Sequence, residues 1–242
     1  MTGNRCRKRV FIQRRGVGLA AAWHRIYSGL MSKSMVTPDK ALPGRAAAWF
    51  TIPEQHAVLG SSLVGPWADG TARIYLAMGC FWGAEEIYWR LPGVVSTSVG
   101  YMGGYSGNPS YEEVCTGMTG HTETASVTYD PAVISDYDIL KVFWENHDPT
   151  QGYRQGNDQG TQYRSAIFYT TPEQKAMAEL TRDAYAAVIA QRGYPAITTT
   201  IQDAADHTYY FAEDYHQQYL YKRPNGYRCH ANTGLALPAL SA

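Results

Sequence analysis

The sequence lacks several features that would assign a protein to a class at once. It has no run of about 18 apolar residues, so neither a membrane-spanning helix nor a membrane partner is expected. The net formal charge is zero, with 21 basic and 21 acidic residues, which favours no nucleic-acid partner. Cysteine is scarce, with four residues at Cys6, Cys80, Cys115 and Cys229. Because no C-x-x-C pair occurs, a paired-cysteine zinc site and a secreted disulfide scaffold are both disfavoured.

Acidic residues are also missing from residues 1–34, which are rich in arginine. Such a basic extension is typical of a transit peptide. Two other interpretations, which we favour, are a translational start at Met31 or Met35 and a disordered basic tail. Residues 35–72 are rich in proline, glycine and alanine, and they are predicted to form an irregular arm that wraps the domain.

Strand and helix patterns alternate from residue 73 to residue 223. They predict strands at 74–78, 94–101, 124–129, 165–169 and 197–201, and helices at 80–91, 136–147, 172–191 and 209–221. Ser135 and Thr171 are the expected N-caps of the second and third helices. Residues 224–242 are predicted to be coil. The alternation indicates an α/β or α+β domain with a mixed sheet.

Cys80 stands between a predicted strand and a predicted helix, in the segment Gly79-Cys80-Phe81-Trp82-Gly83. A helix N-terminus offers free N–H groups and the positive end of a dipole, which stabilise a thiolate. We therefore expect the pKa of Cys80 to lie below its ordinary value of about 8.5. The glycines permit a tight turn. Phe81 and Trp82 offer an apolar wall, unless they are simply core residues of the first helical turn.

Three further segments carry groups that fit redox chemistry. Glu123, near an aromatic-lined thiol, would have a pKa raised by burial and could act as a general acid; an exposed strand-start residue is the alternative. Asp158 and Tyr163 lie in the polar segment 154–165 and could orient a substrate or a water, unless this is an ordinary solvated loop. Cys229, in a flexible terminal coil, suits the resolving role in disulfide exchange, or it is a free surface cysteine.

Several ordered motifs recur along most of the chain. They are G-C-F-W-G at 79–83, G-Y-x-G-G at 100–104, Y-x-x-V-C-x-G at 111–117, G-H-x-E at 120–123, F-W-E-N-H-D-P at 143–149, Q-G-N-D-x-G-T-Q-Y-R-S at 155–165 and A-E-x-x-H-Q-x-Y-L at 212–220. Together they resemble the A-type peptide methionine sulfoxide reductases, from about Val36 to Pro238. The resemblance implies an α+β two-layer sandwich with a mixed sheet, related to the ferredoxin-like arrangement. It makes 73–223 the catalytic domain.

The resemblance also implies a role for each matching position. Cys80 would attack the sulfoxide sulfur, and Glu123 would protonate the sulfoxide oxygen. The other positions are Tyr111 and Tyr163, whose hydroxyls would hold that oxygen, Phe81 and Trp82, which would surround the substrate methyl group, and Asp158, a second acid near the site. The expected activity is reduction of methionine-S-sulfoxide, free or in proteins, to methionine.

The resemblance further implies a thiol cycle without a metal, flavin or nicotinamide cofactor. Cys80 would become a sulfenic acid, Cys229 would condense with it to a disulfide, and thioredoxin or a related dithiol protein would reduce that bond. Many relatives carry a further relay cysteine, but residues 234–238 contain none, so we predict that Cys229 is the single resolver. Cys115 is assigned to packing, and Cys6 is expected to be irrelevant to catalysis. A monomer in the cytoplasm would suit an enzyme that thioredoxin reduces.

Three competing functions stay open at this point. Cys80, His121, Glu123 and Cys229 could bind zinc in a non-catalytic module, although their spacing is atypical. A thiol peroxidase would also use a cysteine with a resolver, and it would react with peroxide far faster than with methionine sulfoxide. A binding protein for methionine-containing peptides would survive Cys80→Ala unchanged, whereas the enzyme would lose all activity.

Overall fold

The computed structural model describes residues 34–229 and 231–240. The interpretations of the basic extension and the prediction for Cys6 therefore lie outside the described residues, apart from Ser34. Within the described ranges, no helix is long and apolar enough to cross a lipid bilayer.

A mixed sheet with helices forms the described domain, which is α+β in class. The helices are α1 (Phe81–Trp89), α2 (Tyr111–Cys115), α3 (Asp136–Glu145), α4 (Pro172–Ala190) and α5 (Tyr219–Lys222). The strands are β1 (Ala72–Ala77), β2 (Val94–Met102), β3 (Thr122–Tyr129), β4 (Arg154–Gln155), β5 (Asp158–Gln159), β6 (Ala166–Tyr169), β7 (Thr200–Asp203) and β8 (Tyr210–Phe211). The main sheet has the order β7-β6-β1-β3-β2-β8, and β4 and β5 pair as a separate hairpin. Only the β6–β7 pair of the main sheet is parallel among the described strands.

The two faces of the sheet are filled by alternate side chains of each strand, as a two-residue period requires. On one face, Ile74 and Leu76 of β1 belong to the same buried cluster as Tyr88 of α1, Trp144 of α3 and Tyr185 of α4. On the other face, a smaller cluster contains Ala77, Met102, Ala166 and Phe168, with Tyr209 packed against it. Helices α1, α3 and α4 therefore share one side of the sheet.

Local sequence signals predicted the first residues of helices α3 and α4 correctly. Ser135 caps α3 in a reciprocal capping box with Asp138, and the Thr171 side chain accepts a hydrogen bond from the backbone N–H of Gln174 at the start of α4. Pro172 occupies the first turn of α4, where its missing N–H has no helical partner to lose. The N-cap predictions for both helices are confirmed.

Two elements were predicted wrongly. The helix expected at 209–221 is replaced by β8, a turn and the short α5, because Gln217 accepts a hydrogen bond from Val99 N and donates to Val99 O and Ala212 O. Gln218 then adopts a left-handed φ of +46°, which interrupts a helix. The strand expected at 197–201 begins three residues later, at Thr200, where parallel pairing with β6 starts.

The segments before β1 and after α5 contain little regular structure, but both are bonded to the domain. In the first, His56 Nε2 lies 2.8 Å from Thr97 Oγ1 of β2, and Leu42 N donates to Met118 O at 2.9 Å. In the second, Leu237 N donates to Glu145 Oε1 at 2.8 Å, and Leu237 itself is buried. The terminal coil, expected to be flexible, is thus docked on α3.

Candidate active site

Cys80 lies at the tight turn between β1 and α1, where it is the N-cap residue of the helix. Gly79 precedes it with a φ of +93°, a conformation that L side chains rarely adopt. A Cβ atom at Gly79 would also approach Gln155 Cγ to 2.6 Å, so the turn needs glycine for space as well as for conformation. The thiol is free, and Cys80 is only 7% exposed.

The pKa of Cys80 is raised well above its ordinary value, mainly by burial and further by the nearby carboxyl groups of Glu123 and Asp158. The backbone N–H groups of Trp82 and Gly83 act in the opposite direction, as a helix N-terminus should. They are outweighed, because desolvation and negative neighbours both disfavour a thiolate. The expected lowered pKa is therefore wrong, and the resting sulfur carries its proton.

Glu123 is the second residue of β3, opposite Tyr101 of β2, and it is 1% exposed. The alternative that Glu123 is an exposed residue at the start of a strand is therefore wrong. Its Oε2 accepts a 3.0 Å hydrogen bond from the backbone N–H of Phe81, which follows the thiol in sequence. Burial raises the pKa of Glu123 well above its usual range, and Asp158 adds to the effect against the opposing Phe81 N–H. The raised pKa favours the neutral carboxylic acid, which can donate a proton.

Tyr111 and Tyr163 come from different parts of the chain to the same site. Tyr111 is the first residue of α2, and Tyr163 closes the 3₁₀ turn Thr161–Tyr163. Burial raises the pKa of both phenols well above the ordinary value. Both hydroxyls therefore stay protonated and are available as hydrogen-bond donors.

Aromatic rings pack around the first turn of α1, which follows Cys80. Phe81 is 1% exposed and stacks on Tyr111 with centroids 6.4 Å apart, while the partly exposed Trp82 stacks on Tyr219 at 3.9 Å. His216 lies between them, 4.4 Å from the Tyr111 ring, and its Nδ1 accepts a 3.1 Å hydrogen bond from Trp82 Nε1. Burial lowers the pKa of His216 to about 3, so its imidazole is neutral. Phe81 is a core residue as well as a wall of the site.

The sequence interpretation missed the roles of Glu213, His216 and Tyr219. Glu213 accepts hydrogen bonds from Tyr101 Oη and from Tyr111 N, each at 2.9 Å, and thereby holds α2 against the site. All three residues belong to the motif at 212–220. The helix wrongly predicted there obscured the contacts of His216 and Tyr219 with Trp82, although a Glu and a His three residues apart were a usable signal.

Asp158 lies on the β4–β5 hairpin and is 2% exposed. Its Oδ1 accepts a 3.1 Å hydrogen bond from Tyr227 Oη, and its charge reaches both Cys80 and Glu123. Neighbouring Gln155, Thr161 and Gln162 are buried as well. The solvated-loop alternative is therefore wrong for this segment.

Cys229 is half-buried beside the same hairpin, and its thiol lies 3.4 Å from the carbonyl oxygen of Gln155. The side chain of Gln155 also faces Gly79, so the two cysteine-bearing segments converge on one residue. Burial raises the pKa of Cys229. Cys115, assigned to packing, ends α2; a hydrogen bond to Tyr111 only partly offsets the burial that raises its pKa.

The zinc alternative does not fit the geometry. His121 Nδ1 accepts a hydrogen bond from Gly104 N at 3.1 Å, and its Nε2 lies 2.7 Å from Ser106 O, so both ring nitrogens are engaged by the neighbouring loop. Among the described residues, no group of three or more His, Cys, Asp and Glu side chains could hold a metal ion.

Comparison with known proteins agrees with the geometry. The family model described as peptide methionine sulfoxide reductase matches residues 72–240. The chain is 57% identical over 210 residues to a peptide methionine sulfoxide reductase from Salinispora arenicola, covering 86% of this chain and 94% of that protein. It is 52% identical over 209 residues to one from Vibrio cholerae, covering 86% and 97%.

A solved structure extends the agreement to three dimensions. Methionine sulfoxide reductase A of Corynebacterium diphtheriae aligns with a TM-score of 0.76 and 46% identity, over 85% of this chain and 100% of that one. Family match, relatives and fold agree, and the chain belongs to the peptide methionine sulfoxide reductases, a family of oxidoreductases.

Proposed function

We propose that this protein reduces methionine-S-sulfoxide, free and within proteins, to methionine. The observation that carries the proposal is the pairing of Cys80 with the buried, neutral Glu123, whose carboxyl is tied to Phe81 N at 3.0 Å. A sulfoxide oxygen leaves only when it is protonated, so a proton donor beside a sulfur nucleophile is the arrangement that the reaction needs.

In the first half-reaction, the sulfur of Cys80 attacks the sulfoxide sulfur while Glu123 donates a proton to the sulfoxide oxygen. Tyr111 and Tyr163 donate hydrogen bonds to that oxygen as negative charge builds on it. The sulfur–oxygen bond of the substrate breaks, the oxygen passes to Cys80, and the thiol proton returns the carboxyl to its acid form. The products are methionine and the sulfenic acid of Cys80.

Substrate selection is assigned to the aromatic rings. Phe81 and Trp82 would surround the methyl group, with His216 fixing the indole through its 3.1 Å hydrogen bond. An oxygen held on the tyrosine side and a methyl held on the aromatic side would leave one epimer in register with Cys80, and the resemblance to the A-type reductases implies that this is the S form. Asp158 is proposed to act on the charge balance of Cys80 and Glu123.

In the second half-reaction, the thiol of Cys229 attacks the sulfenic sulfur of Cys80, which forms a disulfide and releases water. A dithiol protein, thioredoxin, then reduces this bond and becomes a disulfide itself, so two electrons balance each turnover without a prosthetic group. Residues 234–238 contain no cysteine, which supports reduction of the Cys80–Cys229 bridge without a relay.

Three finer assignments accompany this proposal. A ferredoxin-like arrangement within the two-layer sandwich is supported by the order of elements. Along the chain they run β1-α1-β2-β3-α3-β6, and in the sheet the strands lie in the order β6-β1-β3-β2. A monomer and a cytoplasmic location are proposed as suited to reduction by thioredoxin. The arm at 35–72, the catalytic domain at 73–223 and the terminal coil at 224–242 remain our proposed division.

The test is thioredoxin-coupled turnover of both methionine sulfoxide epimers by the native protein, Cys80→Ser and Cys229→Ser. We expect turnover of the S epimer alone, none with Cys80→Ser, and a single turnover with Cys229→Ser. No methionine from either epimer, or peroxide reduction far faster than sulfoxide reduction, would refute the proposal. Full thioredoxin-linked cycling by Cys229→Ser would refute the resolver. A peptide containing methionine sulfoxide, assayed beside the free amino acid, measures substrate preference.

A further inference from the structure

A two-pronged ion pair joins the segment of Cys229 to the helix of Cys80. Arg228 Nε donates to Glu86 Oε2 at 2.6 Å, and Arg228 Nη2 donates to Glu86 Oε1 at 2.8 Å. Glu86 lies on α1 and is 8% exposed, and the hydrogen bonds from Arg228 lower its pKa. Bidentate pairs of this kind fix geometry as well as charge.

The same guanidinium also orders the chain that leads to Cys229. Arg228 Nη1 donates to Pro224 O at 2.8 Å and to Gly226 O at 3.4 Å. One planar side chain thus holds the turn at 224–228 and docks that turn on α1. A lysine could not reproduce this, because its single ammonium group lacks the planar fork.

The chain beyond Cys229 is docked at a second point. Tyr185 Oη on α4 contacts Thr233 Oγ1 and donates to Leu235 O at 3.2 Å. Between the two docking points, Ala231 lies so close to Gly156 of the hairpin that a Cβ at Gly156 would approach its Cβ to 2.8 Å. Cys229 is therefore held from both sides against the hairpin that packs on Gly79.

We propose that the Glu86–Arg228 ion pair is a positioning element for the resolving step, which keeps Cys229 within reach of Cys80 and sets the rate of disulfide formation. This inference rests on the proposed function. The step joins the sulfenic sulfur of Cys80 to the sulfur of Cys229 and releases water, so no external reductant takes part. A docked thiol reacts at a higher effective concentration than one on a free tail.

The experiment separates the two half-reactions. Native protein, Arg228→Ala, Arg228→Lys and Glu86→Gln are mixed in the reduced state with one equivalent of methionine-S-sulfoxide, without thioredoxin. Methionine is quantified at each time point, the sulfenic acid is trapped with dimedone, and free thiols are counted. Arg90→Ala is the matched control, because Arg90 also donates to Glu86 Oε1, at 2.7 Å, but its side chain is 68% exposed and it is the C-cap of α1 rather than part of the segment that carries Cys229.

We expect Arg228→Ala and Glu86→Gln to form methionine at the native rate but to close the disulfide about tenfold more slowly, with the sulfenic acid accumulating. Arg228→Lys should fall between them and the native protein, and Arg90→Ala should match the native protein. A variant that combines Arg228→Ala with Glu86→Gln should be no slower than either single variant, since both changes remove the same contact.

The outcomes distinguish this inference from the function on which it rests. Native disulfide kinetics in Arg228→Ala, together with a native methionine burst, would overturn the positioning role and leave the reductase intact. A native protein that forms no methionine would overturn the function first. The burst also reports that each variant is folded, and Arg228→Lys keeps the test valid if the alanine variant does not fold.

Discussion

The backbone N–H of Phe81 donates a 3.0 Å hydrogen bond to Oε2 of Glu123, which ties the buried acid to the residue that follows the nucleophile. This contact opposes the burial that raises the pKa of Glu123, yet burial dominates. The first turn of α1 therefore positions both reactive groups: the sulfur at its N-cap and the carboxyl through its first N–H.

Replacing Glu123 with glutamine should remove the proton donor and keep the shape of the site. The amide oxygen of the Glu123→Gln variant can still accept from Phe81 N, so the fold should persist. We expect the single-turnover rate of methionine formation to fall by about 10² to 10⁴, which is the usual contribution of a positioned acid. Rapid-quench measurement of methionine at pH 7 provides the value.

The control for this change is Glu173→Gln, which neutralises an exposed acid in the first turn of α4. It should leave the rate unaltered. A Glu123→Gln variant that reacts within a factor of a few of the native rate would mean that another group supplies the proton.

Asp158→Asn should lower the pKa of Cys80. The charge of Asp158 is one of the causes that raise the pKa of this thiol, after burial and Glu123. The rate of Cys80 alkylation by iodoacetamide, followed by peptide mass spectrometry from pH 6 to 10, should therefore rise at lower pH in the variant. In the native protein the midpoint should lie above the ordinary cysteine value of about 8.5. An unchanged profile would show that Asp158 acts on something other than the thiol.

The features that the sequence predicted correctly depend on local signals. The caps at Ser135 and Thr171 and the position of Cys80 between a strand and a helix follow from residue types within a few positions. The same holds for Pro172 in the first turn of α4. Helices α3 and α4 therefore begin where the sequence places them.

The features that the sequence missed depend on contacts between distant segments. The pKa of Cys80 is raised mainly by its burial in the folded protein, and further by Glu123 and Asp158, at a helix whose local dipole would have lowered it. The helix expected at 209–221 fails because Gln217 bonds to Val99 on β2. The spacing of aromatic residues at 209–221 cannot reveal that the Gln217 side chain will hydrogen-bond to the backbone of Val99 in β2.

A buried carboxyl outside the reaction should contribute a loss of stability as the pH rises. Glu85 lies on α1 and accepts hydrogen bonds from Gln218 and Thr97, but burial raises its pKa from 4.5 to about 7. A raised folded pKa contributes stability that is complete below pH 4.5 and is lost by pH 7. The expected loss in unfolding free energy is about 3 kcal/mol over this window.

Urea unfolding of the reduced protein between pH 4.5 and 8 measures this effect. The unfolding free energy of Glu85→Gln minus that of the native protein should rise by about 3 kcal/mol from pH 4.5 to 7. Groups common to both proteins, such as Glu123 with its raised pKa and His216 with its lowered pKa, cancel in this difference. Native and variant curves that run parallel would contradict the role of Glu85.

Two glycines beside Cys80 should respond oppositely to alanine. Gly79→Ala places a Cβ 2.6 Å from Gln155 Cγ at a φ of +93°, so it should destabilise the protein by about 1 to 3 kcal/mol. Gly83→Ala adds a Cβ with no atom within 4 Å inside α1, and it should stabilise the helix by about 0.5 to 1 kcal/mol. Urea unfolding of both variants gives the two signs.

The same two alanine variants also test whether the turn at Gly79 helps to position Cys229 for disulfide formation with Cys80. Because Gln155 contacts Gly79 and its carbonyl accepts from Cys229, displacing its side chain should move the resolving cysteine away from Cys80. Gly79→Ala should then slow disulfide closure as well as unfold at lower urea, whereas Gly83→Ala should leave closure unchanged. Closure at the native rate in folded Gly79→Ala would mean that Gln155 moves freely and that the docked segment alone controls the approach of Cys229.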